Sequence, residues 1–290
     1  MRNRLGALLI LLLAAYAVDC GDAEARIYFQ EFFNNGTIAI SSINQEGQEH
    51  HLHVLLHYRK SEAPTRVLFA VVEELIFVVL PSPGGDSLVV FTNQQGKNKT
   101  LLNDLGDVRG LTADSSGLLW WLKCNPLKDK EAFCESVELW SMDPKSSALK
   151  PQKMETIEGI NELMGCNTLR ECVIIIHGIK YHVMPHGAAF GIALEEDDTV
   201  FVALLYPAAL EFLERPPNEH FKTVCHEHPY HADPPYTIAV DTNSKSLCYA
   251  VKKELYCFDY DIAYDCGKPI FASAGASLSA VTLAKWPSSK

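Results

Sequence analysis

The sequence predicts an all-β fold, and two observations support this prediction. The apolar segments are short, rich in Val, Ile, Leu, Phe, Tyr and Trp, and separated by Gly, Pro, Asn, Asp and Ser, as in many-stranded antiparallel proteins. Helical periodicity is scarce, and residues 207–217 form the one segment that favours a helical turn or two. With 290 residues, 48% of them hydrophobic, the chain is long enough to bury a full core.

A hairpin unit recurs along this strand pattern. Each unit is an apolar strand that ends in an acidic residue, followed by a polar turn and a second apolar or aromatic strand. The paired segments are 68–73 with 75–78, 110–114 with 117–121, 190–195 with 199–203, and 237–241 with 247–250. The repeated acids are Glu73, Asp114, Glu195 and Asp241. Their spacing is about 40 to 50 residues, with one interval of about twice that length, and this period is typical of β-propeller blades.

The period predicts a single β-propeller of six blades over residues 26–287, with residues 173–176 as the candidate strand inside the double interval. We expect the N-terminal strands around 27–29 and 37–40 to join the C-terminal segment 278–283 in one closing blade. Such closure removes the exposed sheet edges that invite aggregation.

Residues 1–20 are typical of a secretory signal peptide. Arg2 and Arg4 precede an unbroken apolar run from Leu8 to Ala15, and small residues follow. The run is shorter than the roughly 20 apolar residues that a membrane-spanning helix needs. We therefore expect a secreted, extracellular chain without a membrane span, cleaved somewhere between residues 17 and 25.

The cysteines fit disulfide formation in an oxidising compartment, because cleavage beyond Cys20 leaves an even set. A two-residue turn at Lys252-Lys253 would place Cys248 opposite Cys257 on neighbouring strands. The other candidate pairs are Cys124 with Cys134, Cys166 with Cys172, and Cys225 with Cys266. The alternative is a set of ordinary buried thiols.

Two sequons predict glycosylation. Asn35 and Asn98 each begin an Asn-x-Thr acceptor sequence among turn-forming residues. In a secreted chain we expect a glycan at one or both.

The charge balance limits the partners. Acidic residues outnumber Lys and Arg 36 to 25, for a net charge of -11. The field of such a chain repels nucleic acids and anionic membrane surfaces.

The four repeated acids have two interpretations. They could form a ring of carboxylates around a metal ion in the central channel. Alternatively, each carboxylate accepts hydrogen bonds from the amides of the turn that follows it.

Two histidine pairs are candidate metal ligands. In extended strands His51 and His53 project from one face, as do His226 and His228, so either pair offers two imidazoles to Zn²⁺ or Cu²⁺. Neither has a third ligand at a fixed spacing, and surface histidines are the ordinary alternative.

Trp120 and Trp121 are the candidate ligand-binding aromatics. Adjacent residues of a strand face opposite sides, so one ring should pack between blades while the other is available to solvent or a ligand. Core packing of both rings is the alternative.

The hairpin unit resembles the YWTD repeat of low-density lipoprotein receptor class B propellers and, more distantly, the six-bladed propellers of the SMP-30, paraoxonase and yellow families. The tetrapeptide is replaced by Leu119-Trp120-Trp121-Leu122 and by Leu247-Cys248-Tyr249-Ala250. The resemblance to the SMP-30 and paraoxonase families implies a calcium-dependent lactonase as one activity to consider.

The sequence contains no Gly-x-Ser-x-Gly elbow, Gly-rich phosphate loop, HExxH motif or EF-hand loop. We therefore expect a non-enzymatic, monomeric binding protein that uses a propeller face to hold a protein partner or a small aromatic or hydrophobic ligand, without a cofactor. The alternative is a hydrolase or lactonase that depends on Ca²⁺ or Zn²⁺.

Overall fold

A computed structural model describes residues 8–11, 24–59, 67–73, 75–82, 85–92, 98–113, 117–127, 130–158, 172–176, 179–183, 189–194, 200–204, 209–213, 222–226, 238–241, 245–260 and 268–286. For some strand residues, including all those at 8–11 and from 172 to 226, it describes the backbone alone. Every regular element in these residues is a β-strand, as the sequence predicts.

The strands are numbered along the chain. Those of the first half are β1 (Leu8–Leu11), β2 (Glu24–Phe33), β3 (Thr37–Asn44), β4 (His51–His57), β5 (Leu68–Val72), β6 (Leu75–Leu80), β7 (Ser87–Thr92), β8 (Asn98–Leu102), β9 (Asp107–Ala113), β10 (Leu119–Leu127), β11 (Lys130–Met142) and β12 (Gln152–Glu158). Those of the second half are β13 (Cys172–Ile176), β14 (Ile179–Val183), β15 (Ala189–Leu194), β16 (Val200–Leu204), β17 (Ala209–Leu213), β18 (Lys222–His226), β19 (Ile238–Asp241), β20 (Ser246–Val251), β21 (Glu254–Asp259), β22 (Pro269–Ala272) and β23 (Ala276–Trp286).

The strands form a β-propeller in which four complete blades are described with their side chains. From the ring centre outwards these blades are β23-β2-β3-β4, β5-β6-β7-β8, β9-β10-β11-β12 and β19-β20-β21-β22. Their first strands contact one another in turn, since β19 contacts β23, β23 contacts β5, and β5 contacts β9. These first strands therefore surround the centre of the ring.

The prediction of six four-stranded blades is wrong for the part of the chain that the structure describes. Between β12 and β15 the described residues hold only β13 and β14, and the third strand of their sheet is β1, which pairs in parallel with β13. The sheet β15-β16-β17-β18 has four strands and is described by its backbone. The number of blades was predicted wrongly because the prediction assumed that every interval of about 45 residues supplies four strands of its own.

The four predicted hairpins are confirmed as the antiparallel pairs β5-β6, β9-β10, β15-β16 and β19-β20. The candidate strand at 173–176 is part of β13. The helical turn predicted within 207–217 is wrong, because Ala209–Leu213 forms β17 and pairs with strands on both sides. Pairing with two neighbouring strands outweighs a short local helical preference.

The two ends of the chain share one blade, as predicted. β23 pairs antiparallel with β2, with Ile27 opposite Leu283 and Phe29 opposite Val281, and β2 pairs with β3 on its other side. The ring is therefore closed by hydrogen bonds between strands from opposite ends of the sequence.

Alternate residues of β2 enter two different cores. Ile27 and Phe29 share a core cluster with Leu255 of the last blade, whereas Tyr28 shares one with Val78 of the second blade. Both faces of the closing blade are thus buried between neighbours. A register slip of one residue would exchange these faces and is strongly disfavoured.

A buried carboxylate links the first blade to the last. Glu31 in β2 is 4% exposed. Its partners are Ser41 Oγ at 2.6 Å, Ser273 Oγ at 3.2 Å and His50 Nε2 at 3.3 Å. The His50 ring stacks on both Phe29 and Phe271, with centroid distances of 6.0 and 5.3 Å, and the two Phe rings contact each other at 5.2 Å. Since Phe271 lies in β22 of the last blade and Ser273 directly follows that strand, these contacts cross the closure.

The predicted hairpin of the last blade is confirmed. Val251 lies opposite Glu254, so Lys252-Lys253 forms the turn. Lys252 has a φ of 53°, in the positive region that the first central residue of a two-residue hairpin turn adopts. Cys248 lies directly opposite Cys257 at a Cα–Cα distance of 4.2 Å, and the two form a disulfide.

The remaining cysteine pairs stay predictions. Cys124 is disulfide-bonded, but the side chain of Cys134 lies outside the described residues. The side chains of Cys166, Cys172, Cys225 and Cys266 also lie outside them.

The predicted signal peptide falls largely outside the described residues, which include only β1 from it. The cleavage site and the secretion of the chain therefore stay predictions. In the described residues no helix has the length and apolar character needed to cross a membrane.

The disulfide gives the first testable prediction. The bond joins residues 9 apart in sequence, and the chain-entropy model assigns about 2 to 3 kcal/mol to a loop of this size. Replacing Cys248 and Cys257 together by Ala should lower the melting temperature of the protein while leaving its circular dichroism spectrum β-type. Peptide mapping without reduction is the control, and a link from Cys248 to any other cysteine would contradict the hairpin register.

The closing strand gives the second prediction. Leu278 in β23 is buried in the core shared with the last blade, so Leu278→Ala should lower the free energy of unfolding by about 2 to 5 kcal/mol. Ser277→Ala alters the exposed neighbour in the same strand and should change it little. Denaturant unfolding measures both, and equal effects would show that β23 is not packed as described.

Candidate functional site

An open cleft lies between the second and third blades, and we name it the interblade cleft. Three segments line it: Gly85-Asp86 before β7, Gly106-Asp107 at the start of β9, and residues 123–126 of β10. Its volume is about 500 Å³. Small-molecule sites enclose most of their ligand, so an open cleft fits a protruding segment of a partner better.

Two glycines let the loops of neighbouring blades meet in the cleft. Gly85 and Gly106 have φ values of 128° and 81°. A Cβ on Gly85 would lie 3.0 Å from the Gly106 nitrogen, and a Cβ on Gly106 would lie 2.8 Å from Cε of Lys123. The loops are then joined by hydrogen bonds from Asp86 N to Gly106 O and from Leu105 N to Asp86 O, both 2.9 Å long.

Asp86 is the half-buried carboxylate of the cleft. Burial raises its pKa, and the neighbouring charge of Asp107 raises it further. The Val108 amide donates to Asp86 Oδ2 at 2.8 Å, which together with the Arg109 charge opposes that rise. Because its environment disfavours the ionised form, Asp86 would gain from a cation placed beside it.

The other two charged groups of the cleft, Asp107 and Lys123, each have an ion-pair partner, at different distances. Asp107 forms an ion pair with Arg109 at 2.6 Å. Lys123 lies 4.0 Å from Glu138, whose other carboxylate oxygen accepts a 2.6 Å hydrogen bond from Lys153. The hydrogen bond from Lys153 is the main reason why the pKa of Glu138 is lowered. Lys123 is therefore the more weakly held of the two ammonium groups.

The sequence prediction did not identify Asp86 and Asp107. Both occur in Gly-Asp pairs, with Gly85-Asp86 just before β7 and Gly106-Asp107 at the start of β9. That pairing was the available signal, but nothing in the spacing showed that the two loops meet.

The two candidate tryptophans have different environments. Trp121 is 3% exposed in the core between the second and third blades, and its ring stacks on Trp140 at 6.3 Å. Trp120 is half-buried. The geometry gives Trp121 a packing role, while the ligand role of Trp120 stays a prediction.

The described candidate histidines lie in the outermost strand of the closing blade. The rings of His51 and His53 are 6.4 Å apart, and His53 Nε2 lies 2.7 Å from Ser42 Oγ. No group of three or more His, Cys, Asp or Glu side chains suited to a metal ion occurs among the described residues. The side chains of His226 and His228 lie outside them, so metal binding stays a prediction.

Of the repeated acids, the structure describes the side chain of Glu73 alone. Glu73 follows β5 with a φ of 53°, and its carboxylate accepts a 2.6 Å hydrogen bond from Lys145 Nζ. The exposed pair joins the second blade to the loop after β11. The side chains of Asp114, Glu195 and Asp241 lie outside the described residues, so the carboxylate ring stays a prediction.

The two sequons are exposed. Asn35 lies in the turn between β2 and β3, where its Oδ1 accepts a hydrogen bond from Thr37 N at 2.9 Å. Asn98 was predicted in a loop, but it begins strand β8 and pairs with Phe91. Asn98–Leu102 forms the outermost strand of the second blade and pairs with β7. The turn-forming residues around Asn98 did not predict this strand.

Comparison by sequence finds no matching protein family and no matching curated protein. Solved structures that resemble the chain include TolB from Acinetobacter baumannii, which is 10% identical with a TM-score of 0.51 over 91% of this chain and 67% of that one. Apo AztD from Citrobacter koseri is 8% identical with a TM-score of 0.51 over 93% of this chain and 100% of that one.

A putative 6-phosphogluconolactonase from Bacteroides fragilis is 11% identical, with a TM-score of 0.51 over 93% of this chain and 100% of that one. At such low identities these likenesses concern the fold alone. Together with the ring of four-stranded blades, they establish this chain as a β-propeller protein.

Proposed function

We propose that this chain is a secreted, non-enzymatic binding protein that holds a protein partner at the interblade cleft. The observation that carries the proposal is the half-buried carboxylate of Asp86, next to Asp107 in a cleft open to solvent. A site of this shape and charge suits a basic side chain on a protruding loop.

A Lys or Arg of the partner would offset two unfavourable effects at once. Burial and the charge of Asp107 both disfavour ionised Asp86, and a cation beside it would favour the ionised form. Lys123, which also lines the cleft, could donate a hydrogen bond to a carbonyl or carboxylate oxygen of the same loop. The net charge of -11 would also steer a basic partner towards the chain.

A protein partner is favoured over a small aromatic ligand. The aromatic candidate Trp121 is buried in the core, and the polar groups of the cleft are charged. The finer resemblance to YWTD propellers fits a protein-binding function and remains part of the proposal.

A metal-dependent hydrolase is the competing function. Its support is the fold likeness to the putative 6-phosphogluconolactonase and the repeated acids of the sequence. Glu73 does not favour it, because that side chain is exposed and paired with Lys145.

Substitution of Asp86 tests the binding function. Asp86→Asn keeps an oxygen that can accept from the Val108 amide but removes the charge, so capture of a partner from the extracellular fluid of the source should fall about tenfold or more. Immobilised wild-type and variant proteins are compared by quantitative mass spectrometry of what each retains.

Asp104→Asn is the matched control. Asp104 is exposed in the same connection, has a φ of 57° that Asn tolerates well, and does not line the cleft. The immobilised Asp104→Asn variant should retain as much partner as the wild type. Equal capture by all three proteins, or ester or lactone turnover that a chelator abolishes, would contradict the proposal.

Asparagine substitution tests secretion and glycosylation together. In a secretory expression host, Asn35→Gln should remove one peptide-N-glycosidase-sensitive shift in electrophoretic mobility, because Asn35 is exposed in a turn. Asn34→Gln leaves the sequon intact and is the control. A chain that is retained in the cell with its first 17 residues present would contradict the secretory proposal.

A further inference from the structure

The outermost strand of the closing blade has little of the usual protection of a sheet edge, with a bulge at His53 as its one such feature. Proteins guard exposed edge strands with charged residues, Pro, β-bulges or very short strands. β4 reads His-Leu-His-Val-Leu-Leu-His, so it is seven residues long and contains no Lys, Arg, Asp, Glu or Pro.

In the other four-stranded sheets the outermost strand carries a charged residue or Pro. These residues are Lys99 in β8, Lys153 in β12, Lys222 in β18 and Pro269 in β22. The composition of β4 is thus a property of this strand and not of the outer strands in general.

β4 also exposes large apolar side chains. Among the described residues the exposed large hydrophobics are Leu52 (55%), Leu55 (47%) and Met154 (53%), and two of these lie in β4. A bulge at His53 sets Leu52 opposite Ser41 and Leu55 opposite Ala39. Since Ser41 and Ala39 are two residues apart in β3, Leu52 and Leu55 share one face of the blade.

We propose that β4 pairs antiparallel with β4 of a second copy of this chain. The exposed face of the strand is self-complementary, because Leu52 and Leu55 lie symmetrically about the point between His53 and Val54. A two-fold axis at that point would bring Leu52 of one copy opposite Leu55 of the other, with His51 of one copy opposite Leu56 of the other. The sheet of one closing blade would then continue into the next.

Charge also favours a second copy at this edge. Two chains that each carry a net charge of -11 repel one another over most of their surfaces. The absence of any Asp or Glu in β4 makes its edge a place where two copies can approach without opposing carboxylates.

The expected dimer is weak. A strand of this length spans roughly 23 Å, and pairing it buries less than the about 1,200 Å² of a standard stable interface. The bulge at His53 further shortens the regular ladder. Association should therefore depend on protein concentration, in contrast to the monomer expected from the sequence. It is independent of the interblade cleft, which lies between two other blades.

Sedimentation velocity of the mature protein over a concentration series tests this proposal. The wild type should shift from monomer to dimer as concentration rises. The variant with Leu52→Lys and Leu55→Lys places four cations along the joined edges, so its dimerisation should be about tenfold weaker or more. Met154→Lys is the control, because it replaces an exposed apolar side chain of β12 by Lys. This variant should dimerise like the wild type.

Hydrogen exchange locates the contact. The amides of β4 should become more protected in the wild type as concentration rises and should not change in the double-lysine variant. A wild type that stays monomeric at every concentration, a dimer that survives the double substitution, or one that Met154→Lys abolishes would overturn the proposal. Each outcome leaves the test of Asp86 unaffected.

Discussion

The structure depends on the pairing of β23 with β2, which joins strands from opposite ends of the sequence. Such a contact costs more chain entropy to form than any hairpin within a blade. It also completes both faces of the closing blade, whose residues enter two separate cores. The contacts of Glu31 with Ser273 and of His50 with Phe271 stand at the same junction. Closure, packing and buried polar contacts are therefore one cooperative feature.

Burial on both faces explains where function can reside. In β6 the run Leu75–Leu80 is almost continuously apolar and buried, instead of alternating between apolar and polar residues. A blade between two neighbours has no free face to offer a ligand. Recognition must use the connections between strands, as at Gly85-Asp86 and Gly106-Asp107, or the outer edges of the sheets, as at β4.

The parts of the fold that follow local rules were predicted from the sequence. The turn at Lys252-Lys253 and the opposition of Cys248 and Cys257 follow from hairpin geometry, and the closing blade follows from the strand pattern at the two ends. The number of blades was not predicted correctly, because a period does not show which intervals contribute all four strands. The interblade cleft was missed for a related reason. Asp86 and Asp107 lie on different blades, and only the packing of those blades brings them together.

The burial of Cys248 constrains the order in which the disulfide forms and the C-terminal strand docks. Cys248 is fully buried in the core between the last and first blades, a core that also contains Leu278 of β23. An oxidoreductase needs access to the thiols that it joins, and docking of β23 withdraws one of them from solvent. Oxidation of this hairpin should therefore precede the docking of the C-terminal strand, so that the last blade is covalently fixed before the ring shuts.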